Sequence, residues 1–191
     1  RMTVVLLSGG LDSAVCLALQ DGPVDCLTVD YGQRHRREIQ AAADIAKMYG
    51  ANHTIVTLNP ELFAGSALTG AVEVPDGHAK APDATYVPAR NTVLLALAAA
   101  RAESIGSRRV VIGANADDAA GYPDCRRKYL EAFRDVLQQG TVGHVWIQAP
   151  LLGMTKSEVR QMADELGVPV DWTWSCYAGG DTPCGVCGAC Q

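Results

Sequence analysis

The sequence predicts an α/β fold of three layers, α/β/α, built on a parallel, doubly wound sheet. Short apolar runs rich in β-branched residues, readable as strands buried on both faces, alternate with segments of helical period. Helices that join successive strands impose right-handed crossovers and therefore parallel strands. The glycine-bearing and polar turns fall at the carboxyl ends of those strands, where an open parallel sheet collects its ligand.

The first strand covers residues 4–7 and stops at Ser8-Gly9-Gly10, after which the spacing of Leu11, Val15, Ala18 and Leu19 suits a helix. Strand, glycine turn and helix together aim free backbone N–H groups at an anion. Gly9 and Gly10 can take positive φ and admit a phosphate close to the main chain. Ser8 and Ser13 add hydroxyl donors, and Asp12 either caps the helix or holds a metal-bound water. An ordinary tight turn is the alternative, but the full Ser-Gly-Gly-x-Asp-Ser string favours a pyrophosphate site.

The second strand, residues 24–30, ends in Asp30. A helix over 34–49 follows, with Ile39, Ala42, Ala43, Ile45 and Ala46 inward and Gly50 closing it. Residues 53–58 read as a third strand. Residues 59–89 break the rhythm with Pro60, Gly65, Gly70, Pro75, Gly77, Pro82 and Pro88, the composition of a lid or of a disordered insertion. An Ala- and Leu-rich helix over 91–105 lies at the centre of the packing, and a strand over 109–114 leaves Asn115-Ala116-Asp117-Asp118 at its end. A helix over 124–137 and a short strand over 144–148 come next. Thr155-Lys156-Ser157-Glu158 has capping-box form and opens a helix that runs to Leu166 and stops at Gly167 and Pro169.

At 191 residues the chain fits one domain, 1–191, with 171–191 as a cysteine-rich subsite. A net charge of −5 disfavours direct nucleic-acid binding. No apolar run reaches membrane-spanning length and no signal-peptide pattern is present, so a cytoplasmic location is expected. Cys16 and Cys26 sit in apolar surroundings, as small hydrophobes. The other cluster reads Cys176-x7-Cys184-x2-Cys187-x2-Cys190 with interleaved glycines. Four thiolates folded tightly around one ion suit tetrahedral Zn²⁺. An iron–sulfur cluster is the rival, but the proline that follows the last ligand in ferredoxins is missing.

The strand ends bring residues 8–13, 30–33 and 115–118 towards one place. Arg34, His35, Arg36 and Arg37 open a helix, the unfavourable end for cations, so either they face water or an anion is near. Lys156 poses the same question. Asp117-Asp118 is either a Mg²⁺ carboxylate pair or a solvated one. His53, His78 and His144 have no companions at ligand or triad spacing.

With these residues in view, the chain resembles the 7-cyano-7-deazaguanine synthases of the queuosine pathway, within the larger family of ATP pyrophosphatases. The resemblance rests on Leu7-Ser8-Gly9-Gly10-Leu11-Asp12-Ser13, Asp30-Tyr31-Gly32-Gln33-Arg34-His35 and Gly65-Ser66-Ala67-Leu68-Thr69. It continues through Thr85-Tyr86-Val87-Pro88-Ala89-Arg90-Asn91, Ile112-Gly113-Ala114-Asn115-Ala116, Gly121-Tyr122-Pro123-Asp124-Cys125-Arg126 and Thr173-Trp174-Ser175-Cys176. Asp118-Ala119-Ala120 departs from it, since relatives usually carry a tyrosine and a serine there.

The resemblance implies an adenine nucleotide alpha hydrolase-like fold and a C–N ligase that turns 7-carboxy-7-deazaguanine and ammonia into the nitrile, with ATP going to AMP and pyrophosphate. It implies a homodimer with structural Zn²⁺ on Cys176, Cys184, Cys187 and Cys190, and Mg²⁺ with the nucleotide. Ser8, Gly9, Gly10, Leu11, Asp12 and Ser13 would bind phosphate, with Asp30 near the adenosine. Arg90 and Lys156 would be the catalytic cations. Tyr31, Gln33, His35, Tyr86, Asn91, Asn115, Tyr122 and Asp124 would meet the substrate.

Overall fold

Successive side chains of a strand leave opposite faces of a sheet, and the first strand uses both. Val4 and Leu6 enter one apolar layer, Val5 and Leu7 the other. In the computed structural model, which describes residues 2–33, 37–63, 66, 68–69, 85–178, 182–187 and 190, this strand is β1 (Thr3–Leu6). It lies between β2 (Val24–Asp30) and β4 (Arg109–Val111), with β3 (Asn52–Thr57) outside β2 and β5 (Trp146–Gln148) outside β4. Every pairing is parallel; Thr3 stands opposite Val24 and Val4 opposite Val110. The order β3-β2-β1-β4-β5 reverses at β1, which is the doubly wound arrangement expected.

Helices α1 (Leu11–Ala18), α2 (Arg37–Met48) and α6 (Lys156–Glu165) pack with Val5, Leu7, Cys26 and Val111 on one face. Helices α3 (Arg90–Ser104) and α5 (Arg127–Gly140) pack with Val4, Leu27, Val110 and Ile147 on the other. Three layers result. Cys16 and Cys26 are fully buried among these apolar side chains, as their surroundings predict.

The inner face of α2 is Ala41, Ala42, Ile45 and Ala46, while Ile39 and Ala43 are only partly buried. The expected set was therefore rotated, because a run of alanines offers little apolar contrast for reading the phase of a helix. A short helix, α4 (Ala116–Gly121), stands where only a polar turn was expected. Asn115 starts it, its side-chain oxygen accepting from the Asp118 N–H at 2.8 Å. The helix expected over 124–137 is split into a 3₁₀ turn at Pro123–Cys125 and α5. Most of the expected lid, residues 64–65, 67 and 70–84, lies outside the described residues. Its flanks place Phe63 and Val87 in the apolar layer of α3, and Leu68 packs against that layer.

Candidate active site and metal centre

The reversal of strand order leaves a gap above the carboxyl ends of β1 and β4, and a cavity of about 470 Å³ opens there. The glycine turn forms its floor. Gly9 has φ +90° and lies so close to α2 that a Cβ would overlap the Glu38 carbonyl oxygen. Gly10 is extended instead, at φ −82°, so only one of the two glycines uses the positive-φ freedom expected of both. Gly10 starts α1 without any side-chain cap, which leaves N–H groups of the first turn for a ligand. Ser13 donates to the Gly10 carbonyl at 2.9 Å and accepts from the Ser8 N–H at 3.1 Å, holding the turn in shape. The Ser8 hydroxyl meets that of Ser13 at 3.1 Å and is exposed to the cavity. Gly113, after β4, lets α1 approach; a Cβ there would stand 3.0 Å from the Ser13 nitrogen.

Two cations stand at helix starts around this floor. Arg90 is the first residue of α3 and lines the cavity, its guanidinium donating to the Tyr31 hydroxyl at 3.3 Å. Ala89 before it is held at φ +51°, a left-handed conformation that costs a non-glycine residue about 1–3 kcal/mol and sets the direction in which α3 begins. Lys156 is the first residue of α6 and lines the same cavity. Its backbone N–H donates to the Asp117 carboxylate at 2.8 Å, and the capping box formed by Thr155 and Glu158 completes that helix start. A cation at a helix start opposes the helix dipole, and an anion bound between the two reverses the balance.

The acids sort by position. Burial, and then the charge of Asp118, push the Asp12 carboxyl up to about 6, while Lys156 and the Asn115 amide, donating at 3.2 Å, oppose the rise. Burial likewise raises Asp118, with Lys156 opposing. Asp117 is spent on α6, so the expected Asp117-Asp118 pair is divided, and the carboxylates that face each other are Asp12 and Asp118.

Of the residues expected at the site, Ser8, Gly10, Leu11, Asp12, Ser13, Tyr31, Gln33, Arg90, Asn91, Tyr122 and Lys156 line the cavity. Others hold its walls. Asp30 accepts from the Gly32 N–H at 3.1 Å, and the Tyr86 hydroxyl accepts from the Ala89 N–H at 3.2 Å. Asn115 is fully buried between Asp12 and Asp118, and the Asp124 carboxylate accepts from the Asn91 N–H at 3.0 Å. His35, with Arg34 and Arg36, lies outside the described residues, as does His78. Arg37 lies over the Trp174 ring at 4.5 Å. His53 is satisfied by the Thr28 hydroxyl at 2.7 Å, and His144 is exposed, as expected.

Sequence reasoning missed Glu38, Arg160, Ser175, Tyr177 and Cys190 as cavity residues. Cys125 is buried, accepts from the Asn91 amide at 3.2 Å and is pushed up to about 12, first by burial. The last three belong to the cysteine segment, so that segment is a wall of the cavity. Trp174 docks it, donating its backbone N–H to the Gly9 carbonyl at 2.8 Å.

Cys176, Cys184, Cys187 and Cys190 place their sulfurs within 4.8 Å of one another. A tetrahedral ion with metal–sulfur bonds of about 2.3 Å requires sulfur separations near 3.8 Å; Cys184–Cys190 is 3.9 Å and Cys187–Cys190 is 3.5 Å. The donor set fits a single ion. A cubane cluster, with one thiolate on each iron, needs its sulfurs farther apart. Backbone N–H groups of Val186 and Cys187 bring Cys184 down to about 6, favouring the thiolate a metal needs.

This sheet order, with its ligand cavity at the switch point, places the chain in the adenine nucleotide alpha hydrolase-like fold class. Solved structures agree. The U34-tRNA thiolase NcsA from Methanococcus maripaludis superposes with a TM-score of 0.58 at 22% identity, over 88% of this chain and 58% of that one. The NH3-dependent NAD synthetase from Campylobacter jejuni gives 0.53 at 19% identity, over 89% of this chain and 66% of that one. The model of the family described as queuosine biosynthesis protein QueC matches residues 2–191, and the chain belongs to that family. Proteins named 7-cyano-7-deazaguanine synthase are 46% identical to it: that of Thermoplasma acidophilum over 100% of this chain and 84% of its own length, and that of Nostoc sp. over 98% and 89%. No helix among the described residues is long and apolar enough to cross a membrane.

Proposed function

We propose that this chain is an ATP-dependent C–N ligase that converts 7-carboxy-7-deazaguanine and ammonia into 7-cyano-7-deazaguanine. The observation that carries the reading is the convergence of three helix starts on one cavity: α1 with uncapped N–H donors, α3 with Arg90 and α6 with Lys156. Such a site holds a polyphosphate. A carboxylate resists ammonia because it lacks a leaving group and already carries negative charge. Its attack on the α-phosphorus of ATP forms an acyl adenylate and expels pyrophosphate, which the turn from Ser8 to Ser13 receives. Ammonia then displaces AMP and leaves the amide. A second ATP adenylates the amide oxygen, and AMP departs as the nitrile forms. Lys156 and the α1 donors oppose charge developing on the phosphate oxygens, and Arg90 orients the substrate carboxylate or the α-phosphate. Mg²⁺ bound by Asp12 and Asp118 would supply further neutralisation.

In this reading Zn²⁺ on the four cysteines is structural and holds the wall that carries Ser175 and Tyr177. Residues 1–191 act as one domain, with 171–191 as its metal subsite, in a cytoplasmic homodimer that takes small molecules rather than nucleic acid. A sulfur-transfer reaction in this cavity requires a thiolate, and Cys125 is buried with its thiol pushed up. Mass spectrometry of products from ATP, ammonia and 7-carboxy-7-deazaguanine tests the reading. Nitrile with AMP and pyrophosphate is expected; no consumption of the acid would overturn it.

A further inference from the structure

Glu38 is in the first turn of α2 and lines the same cavity as Ser8, Arg90 and Lys156, with its carboxylate close enough to interact with the Arg90 charge. Its main chain is packed on Gly9, so the carboxylate is carried at a set height beside the phosphate turn. The other cavity acids are engaged: Asp12 with Asn115, and Asp118 facing Lys156. The Glu38 carboxylate makes no hydrogen bond or ion pair among the described residues. Among the described residues, the charged and titratable groups that line this space besides Glu38 are Asp12 from α1, Tyr31 after β2, Arg90 from α3, Asp118 from α4, Tyr122 and Cys125 between α4 and α5, Lys156 and Arg160 from α6, and Tyr177 and Cys190 from the cysteine segment. Burial lifts Glu38 to about 7, with Arg90 opposing, so acid and base forms are both available near neutrality.

Between ammonia and the nitrile, nitrogen sheds three protons. When ammonia attacks the acyl adenylate, a C–N bond forms, the C–O bond to AMP breaks, and the nitrogen must shed one proton to become the amide. Adenylation of the amide oxygen expels pyrophosphate and takes a second proton from nitrogen; when that intermediate collapses, the last N–H proton leaves as the nitrile forms and the second AMP departs. We propose that Glu38 is the catalytic base that accepts the nitrogen's proton when the amide forms and again when the adenylated amide collapses. The inference rests on the ligase reading above, and assigns within that site a residue that sequence motifs did not single out.

The test separates adenylation from amidation. Acid-dependent exchange of pyrophosphate into ATP reports the first adenylation, which needs no base at nitrogen. Glu38→Gln is expected to retain that exchange while amide formation from ammonia falls by about 10²–10⁴-fold. Glu38→Asp, which keeps the carboxylate, is expected to recover part of the loss. Plotted against free NH3, the wild type should lose activity below about pH 7, and Glu38→Gln should lose that acid limb. Hydroxylamine, whose nitrogen is more acidic once it has attacked, should be used by Glu38→Gln with a smaller deficit. Unchanged amide formation in Glu38→Gln would overturn the proposal. So would equal loss of exchange and amidation, which would make Glu38 a binding residue for nucleotide or base. Wild-type protein without acid-dependent exchange would overturn the ligase reading itself, before any variant is compared.

Discussion

Substituting Gly9 by alanine probes the contact on which the phosphate turn depends. At φ +90° an alanine is strained by about 1–3 kcal/mol. Its Cβ would also run into the Glu38 carbonyl oxygen and stand 3.0 Å from the Ala42 nitrogen. Both neighbours are main chain of α2, which cannot rotate aside as a side chain would, so overpacking adds about 1–3 kcal/mol. The sum is about 2–6 kcal/mol, and in a chain of this size 1 kcal/mol lowers Tm by about 2–4 °C. Gly22→Ala is the control: its φ is +105°, and nothing lies within 4 Å of the added Cβ. Thermal unfolding followed by circular dichroism should therefore show Gly9→Ala melting well below Gly22→Ala, the difference measuring the clash alone. Pyrophosphate exchange should be lost in the first variant and kept in the second. Equal melting temperatures would refute the close approach of turn and helix.

Lys156→Met keeps the aliphatic stem and the backbone N–H that Asp117 accepts, so stability should stay within about 0.5 kcal/mol while kcat for ATP consumption falls about 10²–10³-fold. Cys187→Ser, at a buried cysteine of the cluster packed with Trp174 and Ala41, should lower metal content by elemental analysis and Tm by calorimetry. Because Trp174 bonds to Gly9, the same variant should raise the KM for ATP. Arg101 grips Asp25 through two bonds, 2.9 and 2.7 Å, and Asp25 is 1% exposed. Arg101→Ala strands that carboxylate and should cost about 3–5 kcal/mol in denaturant unfolding.

The cysteine segment is at once a sulfur cluster and a wall of the cavity. Its sulfurs gather around one point, and its chain leaves that point through Cys176, Ser175 and Trp174 onto the glycine turn. The buried Trp174 indole N–H has no acceptor among the described residues, an expense the surrounding packing must offset. Metal binding would therefore order a wall of the cavity as well as the segment itself.

Much was legible from the chain alone, because it was written in local rules. Alternating strand and helix patterns specified a parallel, doubly wound sheet, the Ser-Gly-Gly-x-Asp-Ser turn lies at the cavity, and the four spaced cysteines gather their sulfurs. The capping box at Thr155 is present as read. Those features depend on backbone conformation and on residues a few positions apart. What only the tertiary structure decided is which distant groups meet. Asp12 faces Asp118 while Asp117 turns to α6, Asn115 and Asp124 hold walls, and Glu38 and Tyr177 enter the cavity. No periodicity encodes those meetings. They follow from the angle at which α2, α4 and the cysteine segment dock on the sheet, which is set by packing summed over the whole core.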